Sequence, residues 1–576
     1  MRILLSFIIL FSFTGIAVSQ WSSNPAINLE ICNLTGEQTL PLVAPTSDGG
    51  CYISWFDNRN GSYAVYLQRL SPEGIKLFAQ DGLLISSNPQ NSSLVGYDLK
   101  VDANDNAILV FTDMRAGSDI NPYAYKISPS GNFDWGPNGI GLTDSTNIFQ
   151  ANPKIAVTSD GNYVFTWMYI STPKKIAIQK LDQSGNKVWG SSPIKLSGSP
   201  PENYDWSGII ASDNGSVILL WSGYSGTFLN PQNYKLYTQK FSSAGTPVWN
   251  STQDTVYSLG QVSGFYNPLI FPDGNNGALY CWHDDRDQNN LMSAHVQRFN
   301  SSGQRLFPLN GTELSTQSGR NNYNPVGAVN PVSNETFVFW SPSNSGQTLA
   351  GGLYGQKIDA TGQRLWTDNG IEFKPMDNNT ISDMGVYLKD TNVIVSFNES
   401  QFGSIVSLIK AFSTGPAGVT GWSGSILTAS SNTSEKVGFN SNITEQGMSI
   451  LTWSDRRSSS GGIYAQNINL NGTLGGGTGI IHQTNIPQDF RLFQNYPNPF
   501  NPVTIISFNI PKSSNVKLTI SDVLGRSVAI LIDEVLSAGS YNYQFSAGKF
   551  KLSSGIYYYT LQAEDFIETK QMMLLK

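Results

Sequence analysis

The sequence predicts an all-β protein whose larger part is a ring of eight similar units. Eight aromatic residues mark the units, at steps of 56, 56, 54, 61, 58, 57 and 56 residues. They are Trp55, Phe111, Trp167, Trp221, Trp282, Trp340, Phe397 and Trp453. Each ends a short hydrophobic run that follows a turn rich in Gly, Asp or Asn, and no helical period accompanies them. Self-similarity at a fixed period of this size indicates a repeat architecture, and four antiparallel strands per repeat are typical of a β-propeller.

Each unit contains the same four predicted strands. A turn such as Ser47–Gly50 leads from the first strand into a hydrophobic second strand, here Cys51–Trp55. The third strand carries a Tyr-x-Gln element, as in Tyr66–Gln68, and runs into a turn with a recurrent glycine such as Gly74. Residues that tolerate positive φ between β runs indicate hairpins. A fourth strand that carries a Trp or Phe completes the unit.

Two questions about the ring stay open at the level of sequence. Seven blades are an alternative to eight, and a β-solenoid or two stacked sandwiches would also contain repeated strands. A propeller must close, because an open ring leaves two unpaired strand edges. The N-terminal segment Trp21–Leu29 resembles Trp189–Leu196, the fourth strand of unit three, so it is a candidate for completing the last blade. Leu474–Ile481 is the competing candidate.

The first 19 residues have the composition of a secretory signal peptide. Arg2 supplies a positive charge, an apolar run extends from Ile3 to Phe13, and small residues at 17–19 form a cleavage site before Gln20. The apolar run is shorter than the ~20 residues that a membrane-spanning helix needs. The sequence therefore predicts Sec export and a mature protein without an integral membrane segment.

Charge and residue content exclude several kinds of function. A net charge of -7 over 576 residues offers no basic surface to nucleic acid or anionic lipid. Cys32 and Cys51 are near enough in sequence to form a disulfide, a question left open, whereas Cys281 lies in an apolar strand. With three histidines and no Cys/His cluster, a histidine-built metal or triad site is not expected. We expect no cofactor, with calcium as the one candidate ion.

Four units carry an Asp and an Arg two residues apart, directly after the strand-two aromatic. The pairs are Asp57/Arg59, Asp113/Arg115, Asp284/Arg286 and Asp455/Arg457. In a propeller the loops between strands two and three lie on one face, so these pairs are candidates for a rim that recognises a sugar or peptide. The alternative is local: Asp accepts backbone N–H bonds in the turn, and Arg pairs with it or lies over a neighbouring ring. Repetition around the ring favours the local alternative, because a catalytic pair should be unique. No catalytic residue is predicted.

The loop between strands two and three of unit four differs from the others. It extends over Ser222–Asn233 and contains Tyr224 and Phe228. Because binding residues are concentrated on loops that a rigid scaffold positions, this long aromatic loop is our first choice for a ligand contact.

A separate C-terminal domain is predicted after the glycine run Gly475–Gly477. We place the propeller at residues 20–480, a linker at 481–489 and the last domain at 490–576. A proline-rich entry segment is followed by period-two runs such as Val516–Ile520, which predict the strands of a small immunoglobulin-like sandwich.

The C-terminal domain closely resembles the type A sorting domain of type IX secretion system cargo proteins of Bacteroidetes-like bacteria. The resemblance covers about the last 87 residues. Its sorting motif comprises Tyr496, Pro497, Asn498, Pro499, Phe500, Asn501, Pro502, Gly525, Gly555 and Tyr557. The resemblance implies passage through an outer-membrane translocon and removal of the domain by a sorting peptidase, with release or anchoring at the cell surface. It says nothing of the cargo's task, because such domains follow enzymes and adhesins alike.

Three functions remain for the propeller. We favour a secreted or cell-surface binding protein for a glycan, a peptide or a partner protein. The alternative is a polysaccharide hydrolase or lyase with two carboxylates that converge at one pocket. A structural spacer without a ligand is the third hypothesis.

Overall fold

The computed structural model divides the chain into two compact units. Gln20–Gly475 forms the first, and Gly476–Lys576 belongs to the second. The residues that the structure describes are 20–90, 96–115, 117, 119–143, 145–227, 230–250, 252–259, 267–344, 351–422, 426–458, 461–475, 489–501, 503–536, 539–547, 550 and 552–575. The predicted signal peptide, most of the predicted linker and Pro502 lie outside them.

Strand β1 (Leu29–Cys32) precedes four sheets of four antiparallel strands. Blade 1 comprises β2 (Gln38–Pro45), β3 (Cys51–Asp57), β4 (Tyr63–Leu70) and β5 (Leu83–Gln90). Blade 2 comprises β6 (Asp98–Val101), β7 (Ala107–Asp113), β8 (Asn121–Ile127) and β9 (Ile140–Gly141). Blade 3 comprises β10 (Phe149–Val157), β11 (Tyr163–Ile170), β12 (Lys175–Leu181) and β13 (Ile194–Leu196). Blade 4 comprises β14 (Asn203–Ala211), a 3-10 turn at Asp213–Gly215, β15 (Val217–Thr227), β16 (Asn230–Phe241) and β17 (Asp254–Tyr257).

The remaining strands of the first unit complete four more sheets. Blade 5 comprises β18 (Leu269–Pro272), β19 (Ala278–Asp284), β20 (Ser293–Phe299) and β21 (Thr312–Glu313). Blade 6 comprises β22 (Arg320–Val329), β23 (Thr336–Asn344), β24 (Gly351–Ile358) and β25 (Ile371–Asp377). Blade 7 comprises β26 (Asn379–Lys389), β27 (Asn392–Gln401), β28 (Val406–Thr414) and the first half of β29 (Leu427–Ile443). Blade 8 comprises the second half of β29, then β30 (Ser449–Asp455), β31 (Gly462–Ile468) and β1.

The eight sheets form a closed ring around a central channel. Each innermost strand packs beside the innermost strand of the next blade, and β29 packs beside β2 to complete the circle. The second strand of a blade is covered on both faces: Tyr52 and Phe56 of β3 point towards blade 2, whereas Ile53 and Trp55 point towards blade 8. The prediction of an eight-bladed propeller is confirmed, and the described part of the chain leaves no place for the seven-bladed alternative.

The N-terminal segment closes the ring. Leu29 and Glu30 of β1 pair with Ala465 and Tyr464 of β31, so β1 is the outer strand of blade 8. The segment also repeats a contact of blade 3. Gln466 Nε2 donates to Ser22 O at 2.8 Å, as Gln179 Nε2 donates to Gly190 O at 3.0 Å. The resemblance between Trp21–Leu29 and Trp189–Leu196 therefore reflects the same position in a blade.

A tryptophan and a glycine join most neighbouring blades. The tryptophans predicted for the fourth strands precede those strands instead of lying in them. Among the described residues, six of these indoles donate to a carbonyl in the strand three-to-four turn of the next blade, at 2.9–3.1 Å. They are Trp21, Trp135, Trp189, Trp249, Trp366 and Trp422. The recurrent glycine of that turn has positive φ and lies against the ring: a Cβ built on Gly303 would be 2.4 Å from Trp249 Cγ. At Gly131 and Gly362 a Cβ would meet Phe78 and Pro308 of the preceding blade instead of a tryptophan. Close approach of the preceding blade therefore accounts for the recurrent glycine.

Gly303→Ala should destabilise the protein more than the same change at Gly136. Both glycines have φ near +80°, but a Cβ at Gly136 meets no atom within 4 Å. The Gly136 variant therefore reports backbone strain alone, and the Gly303 variant adds the clash with Trp249, which we expect to cost about 1–3 kcal/mol more. Chemical unfolding of the two variants measures the difference. Equal losses would mean that the indole moves aside without cost.

The cysteines are three separate buried thiols. Burial raises the pKa of Cys32 to about 12, and it raises the pKa values of Cys51 and Cys281 as well. The Cys32–Cys51 bridge left open by the sequence is not formed in the structure.

The C-terminal unit is a small β-sandwich. One sheet contains β32 (Arg491–Leu492), β33 (Val503–Ile510) and β36 (Gly539–Ser546). The other contains β34 (Ser514–Asp522), β35 (Ser527–Leu536), β37 (Gly555–Ala563) and β38 (Phe566–Leu574). One core of buried residues lies between them and includes Phe500, Phe508 and Tyr559. The predicted sandwich is confirmed.

The entry segment of this sandwich holds its last strand in place. Phe500 N donates to Met573 O at 2.8 Å, and Met573 N donates to Asn498 Oδ1 at 2.8 Å. Tyr496 is exposed, and Gly525 occupies a left-handed position in the turn that Asp522 caps. The sorting motif thus combines residues that pack the domain with residues that stay accessible.

Candidate functional site

The four predicted Asp/Arg pairs lie inside the blades. The carboxylates of Asp57, Asp113, Asp284 and Asp455 are at most 1% exposed. Each accepts the backbone N–H of the arginine two residues later, at 2.9–3.1 Å. In blade 5, Arg286 also binds Asp284 through Nε and a terminal nitrogen, both at 2.9 Å, and Trp282 Nε1 donates to the same carboxylate at 2.7 Å.

The arginines lie over aromatic rings of strand three. The guanidinium carbon is 4.0 Å from the ring centre of Tyr66 for Arg59 and 4.0 Å from that of Tyr464 for Arg457. In blade 2, Arg115 lies 3.7 Å over Tyr123, and its terminal nitrogen donates to Tyr125 Oη at 2.7 Å. Blade 5 has His295 at the tyrosine position, and Arg286 lies instead 5.4 Å from the ring centre of Tyr257.

These contacts set the charge of the carboxylates. Burial by itself raises the pKa of Asp57, Asp284 and Asp455. Hydrogen bonds from the paired arginine and, among other donors, from the tryptophan indole outweigh this effect and hold each pKa below its ordinary value. The carboxylates are therefore ionised, buried and already bonded. The contacts favour the local, turn-capping role, and ligand binding by these eight residues stays a prediction.

The long hairpin of blade 4 is the second predicted contact region. Tyr224 is buried, stacks on Tyr234 with a centre distance of 6.2 Å, and donates its hydroxyl to Asp205 Oδ2 at 2.9 Å. Lys174 donates to the same oxygen at 2.6 Å. Tyr224 therefore supports the hairpin from inside, and Phe228 lies outside the described residues.

A polar cleft separates this hairpin from blade 5. We call it the blade 4–5 cleft; its volume is about 510 Å³. Its lining residues come from the start of β16, the segment after β17 and the loop between β19 and β20. They are Gln232, Asn233, Tyr234, Ser258, Leu259, Asp285, Gln288 and Asn290. All three segments lie on the face that carries the strand two-to-three loops, which is the face that the sequence analysis selected.

Backbone geometry presents the amide side chains of the cleft. Asn233, Gln288 and Asn290 have φ values of 53°, 54° and 62°, in the left-handed region that asparagine tolerates better than most residues. Asp285 caps the blade 5 loop, because its carboxylate accepts the backbone N–H groups of Asn289 and Asn290 at 3.0 and 3.1 Å. Gln232, Gln288 and Asn290 are exposed to the cleft.

The chemistry of the cleft is that of neutral hydrogen bonding. Among the described residues, the lining has three kinds of polar group: four side-chain amides, two hydroxyls and one carboxylate, with no lysine or arginine. Asp285 is the only carboxylate among them. The described residues contain no group of three His, Cys, Asp or Glu side chains arranged to hold a metal ion. Calcium stays a prediction.

The two histidines near this region are buried and uncharged at neutral pH. Burial lowers the pKa of His283 to about 4 and that of His295 to about 3. Both side chains are buried within blade 5 rather than exposed in the cleft.

Sequence reasoning missed most of the cleft. It selected the loop Ser222–Asn233, which includes Gln232, and named Tyr224 and Phe228 in it, but it did not select Asp285, Gln288 or Asn290 of blade 5. One signal was available: the loop after Asp284 contains eight residues before β20 begins, whereas the loop after Asp57 contains five before β4 begins. A longer polar loop beside the long hairpin of the preceding blade could have marked the pair.

Comparison with known proteins identifies the C-terminal unit. Residues 494–575 match the secretion system C-terminal sorting domain. The protein is therefore a cargo of the type IX secretion system that is exported to the cell surface or the medium, with a propeller as its larger part. No curated protein matches the chain. Among the described residues, no helix has the length and apolar content to cross a membrane.

Several solved structures are similar to the chain in part. An ulvan lyase of a new polysaccharide lyase family is 8% identical, with a TM-score of 0.45, over 79% of this chain and 97% of its own. An α-L-arabinanase of Penicillium chrysogenum is 14% identical, with a TM-score of 0.32, over 56% of this chain and 94% of its own. A protein of unknown function from Dyadobacter fermentans is 9% identical, with a TM-score of 0.35, over 57% of this chain and 96% of its own.

Proposed function

We propose that the exported propeller binds a neutral oligosaccharide in the blade 4–5 cleft. The observation that carries the proposal is the lining of this cleft by side-chain amides from two adjacent blades. An amide offers a donor and an acceptor side by side, which suits the neighbouring hydroxyl groups of a sugar. A concave site with a few convergent polar groups is also the usual form of a small-ligand site.

The charge of the lining supports a neutral ligand. Uronates and sulfated sugars carry a negative charge, for which arginine and lysine are the strongest hydrogen-bonding partners. No lysine or arginine is among the described residues that line the cleft, and the carboxylate of Asp285 would repel an anion. A peptide or a partner protein could also form hydrogen bonds with these amides. The cleft of about 510 Å³ fits a few sugar rings better than an extended interface.

A hydrolase or lyase remains the alternative function. Glycoside hydrolysis ordinarily uses two carboxylic groups on either side of the bond that breaks. Of the lining residues that the structure describes, only Asp285 has a carboxylate, and this carboxylate already accepts two backbone N–H groups. We therefore place binding before catalysis.

Loss of two amides should remove binding. Titration calorimetry of the exported protein against panels of neutral and acidic oligosaccharides should find ligands in the neutral panel only. The variant Gln232→Ala with Gln288→Ala should bind the best ligand at least about tenfold more weakly, because each lost hydrogen bond contributes about 1 kcal/mol. The control is Gln304→Ala, an exposed glutamine in the strand three-to-four turn of blade 5, on the opposite face.

Three outcomes would contradict this proposal. They are binding of acidic oligosaccharides in preference to neutral ones, unchanged affinity of the double variant, and release of new reducing or unsaturated ends during the titration. The third outcome would favour the enzymatic alternative.

A further inference from the structure

The central channel contains a second and larger cavity, of about 850 Å³. The innermost strands of blades 2 to 8 line it, and it shares no lining residue with the blade 4–5 cleft. Along β26 the lining extends from Met384 to Leu388, which is about 13 Å at about 3.3 Å per residue. The cavity is therefore a separate site, and it is long enough for a chain-like ligand.

Apolar side chains from six blades form most of the wall of this cavity. Each of them is only partly buried by the protein, so part of its surface stays in contact with water. A ligand that covers this surface gains the free energy of apolar burial, and the volume lies within the range of about 300–1,000 Å³ that is typical of ligand pockets. The side chains are Val101, Val157, Ile210, Phe271, Leu388 and Ile443.

The polar side chains of the wall have partners within the protein. Among the described residues that line the cavity, only Lys100, Tyr387 and Asn442 have polar side chains. The Lys100 ammonium is 3.5 Å from Asp98 Oδ1, and the Tyr387 hydroxyl donates to Ser441 O. Asn442 Oδ1 accepts the backbone N–H of the next residue at 2.9 Å. An anionic ligand would have to compete with Asp98 for the one cation, and a cationic ligand would lie beside that cation, so both would lose hydration without a free counter-charge.

The hydrogen-bonding groups that remain in the channel are uncharged. Among the described strands, β6, β10, β14, β18, β22 and β26 each lie at one end of the strand order of their sheets. Each therefore has one edge without a partner strand, and in a propeller this edge faces the channel. A hydroxyl can donate to the carbonyl groups of such an edge or accept from its N–H groups, and it brings no charge into the cavity.

We propose that the central channel binds an uncharged aliphatic alcohol, with its chain along the apolar wall and its hydroxyl at the free strand edges. The wall accounts for the aliphatic chain, because burial of each methylene group is favourable. The pairing of Lys100 with Asp98 accounts for an uncharged head. The site does not depend on sugar binding in the blade 4–5 cleft, so the two proposals can fail separately.

Titration calorimetry of the full exported chain with 1-hexanol, 1-octanol and 1-decanol tests the apolar wall. Each alcohol should bind at least about tenfold more tightly than the one two carbons shorter, because two more methylene groups leave water. Decanoate and decyltrimethylammonium, each below its micelle concentration, test the head group. Both should bind at least about tenfold more weakly than 1-decanol, because their charge loses hydration without a free partner.

Two methionines provide a matched pair of variants. Met384 lines the cavity, and Met384→Gln exchanges its thioether for an amide of similar size, so 1-decanol should bind at least about fivefold more weakly. Met114 is also partly buried but lies outside the lining, in the strand two-to-three loop of blade 2, so Met114→Gln should leave 1-decanol affinity unchanged. If Met384→Gln does not fold, Val101→Thr replaces it and should weaken 1-decanol at least about threefold. None of the three variants should change oligosaccharide affinity.

Each of these measurements can overturn the proposal. Equal affinity for the three alcohols would show that the chain is not buried. Binding of decanoate or decyltrimethylammonium as tight as that of 1-decanol would show that the head group is not selected against charge. Unchanged 1-decanol affinity in both Met384→Gln and Val101→Thr would place the alcohol outside the channel.

Discussion

Ile31→Ala should lower the free energy of unfolding of the propeller by about 2–5 kcal/mol. Ile31 lies in β1, the strand that closes the ring, and its side chain is fully buried between blades 8 and 1. Truncation removes apolar contacts at the one junction that joins the two ends of the ring. Detachment of β1 leaves the outer edge of β31 unpaired, so the loss is not confined to one side chain.

Ile27 supplies the matched control. It belongs to the same N-terminal segment but is 61% exposed, so Ile27→Ala should change the unfolding free energy by less than about 0.5 kcal/mol. Urea unfolding followed by tryptophan fluorescence measures both variants. Equal stability of Ile31→Ala and Ile27→Ala would show that β1 is a passive addition to a ring that is stable without it.

Asp284→Asn should destabilise the protein by about 3 kcal/mol or more, because it leaves the Arg286 guanidinium half-buried without its anion. The carboxylate accepts hydrogen bonds from the indole of Trp282, from the backbone of Arg286 and from two guanidinium nitrogens. An amide can accept some of these bonds but cannot neutralise the arginine. The variant should lower the free energy of unfolding by destabilising folded blade 5, where the carboxylate is buried.

The next residue provides an internal control. Asp285 lines the blade 4–5 cleft and accepts the N–H groups of Asn289 and Asn290 with different oxygens. Asp285→Asn keeps one of these two hydrogen bonds and leaves no buried arginine unpaired, so its unfolding free energy should fall by about 1 kcal/mol, less than for Asp284→Asn. Thermal unfolding and oligosaccharide titration are measured on both variants. Unchanged stability of Asp284→Asn together with lost binding would support the alternative in which the Asp/Arg pairs form a recognition rim.

Much of the fold could be predicted because each blade repeats the same pattern of strands and turns. The spacing of Trp55, Trp282 and Trp453 reflects an aromatic residue that these blades have at the same position of the second strand. Gly303 and its equivalents lie in a turn that packs against the preceding blade. The closure was harder to predict. The two candidate segments are similar in length and apolar content, and the choice depends on pairing with β31, which lies more than 430 positions away.

The candidate site was less predictable for two reasons. The Asp/Arg pairs are easy to find in the sequence, because they are charged residues directly after a buried strand. Whether such a pair faces solvent depends on contacts with tyrosine rings and tryptophan indoles, which cannot be inferred from the sequence. The cleft, by contrast, is made of common amides such as Gln232 and Gln288, which become a site only because two blades place them together. The sorting domain was predictable because its motif is specific, and it indicates the route of export rather than the ligand.

Hydrogen exchange of the exported protein with and without its best neutral oligosaccharide tests the central claim most directly. The account predicts slower exchange in two separate segments, residues 230–234 of β16 and residues 285–291 of the blade 5 loop, and unchanged exchange in the loops that follow Asp57, Asp113 and Asp455. Protection of those three loops, with none at the blade 4–5 cleft, would contradict it.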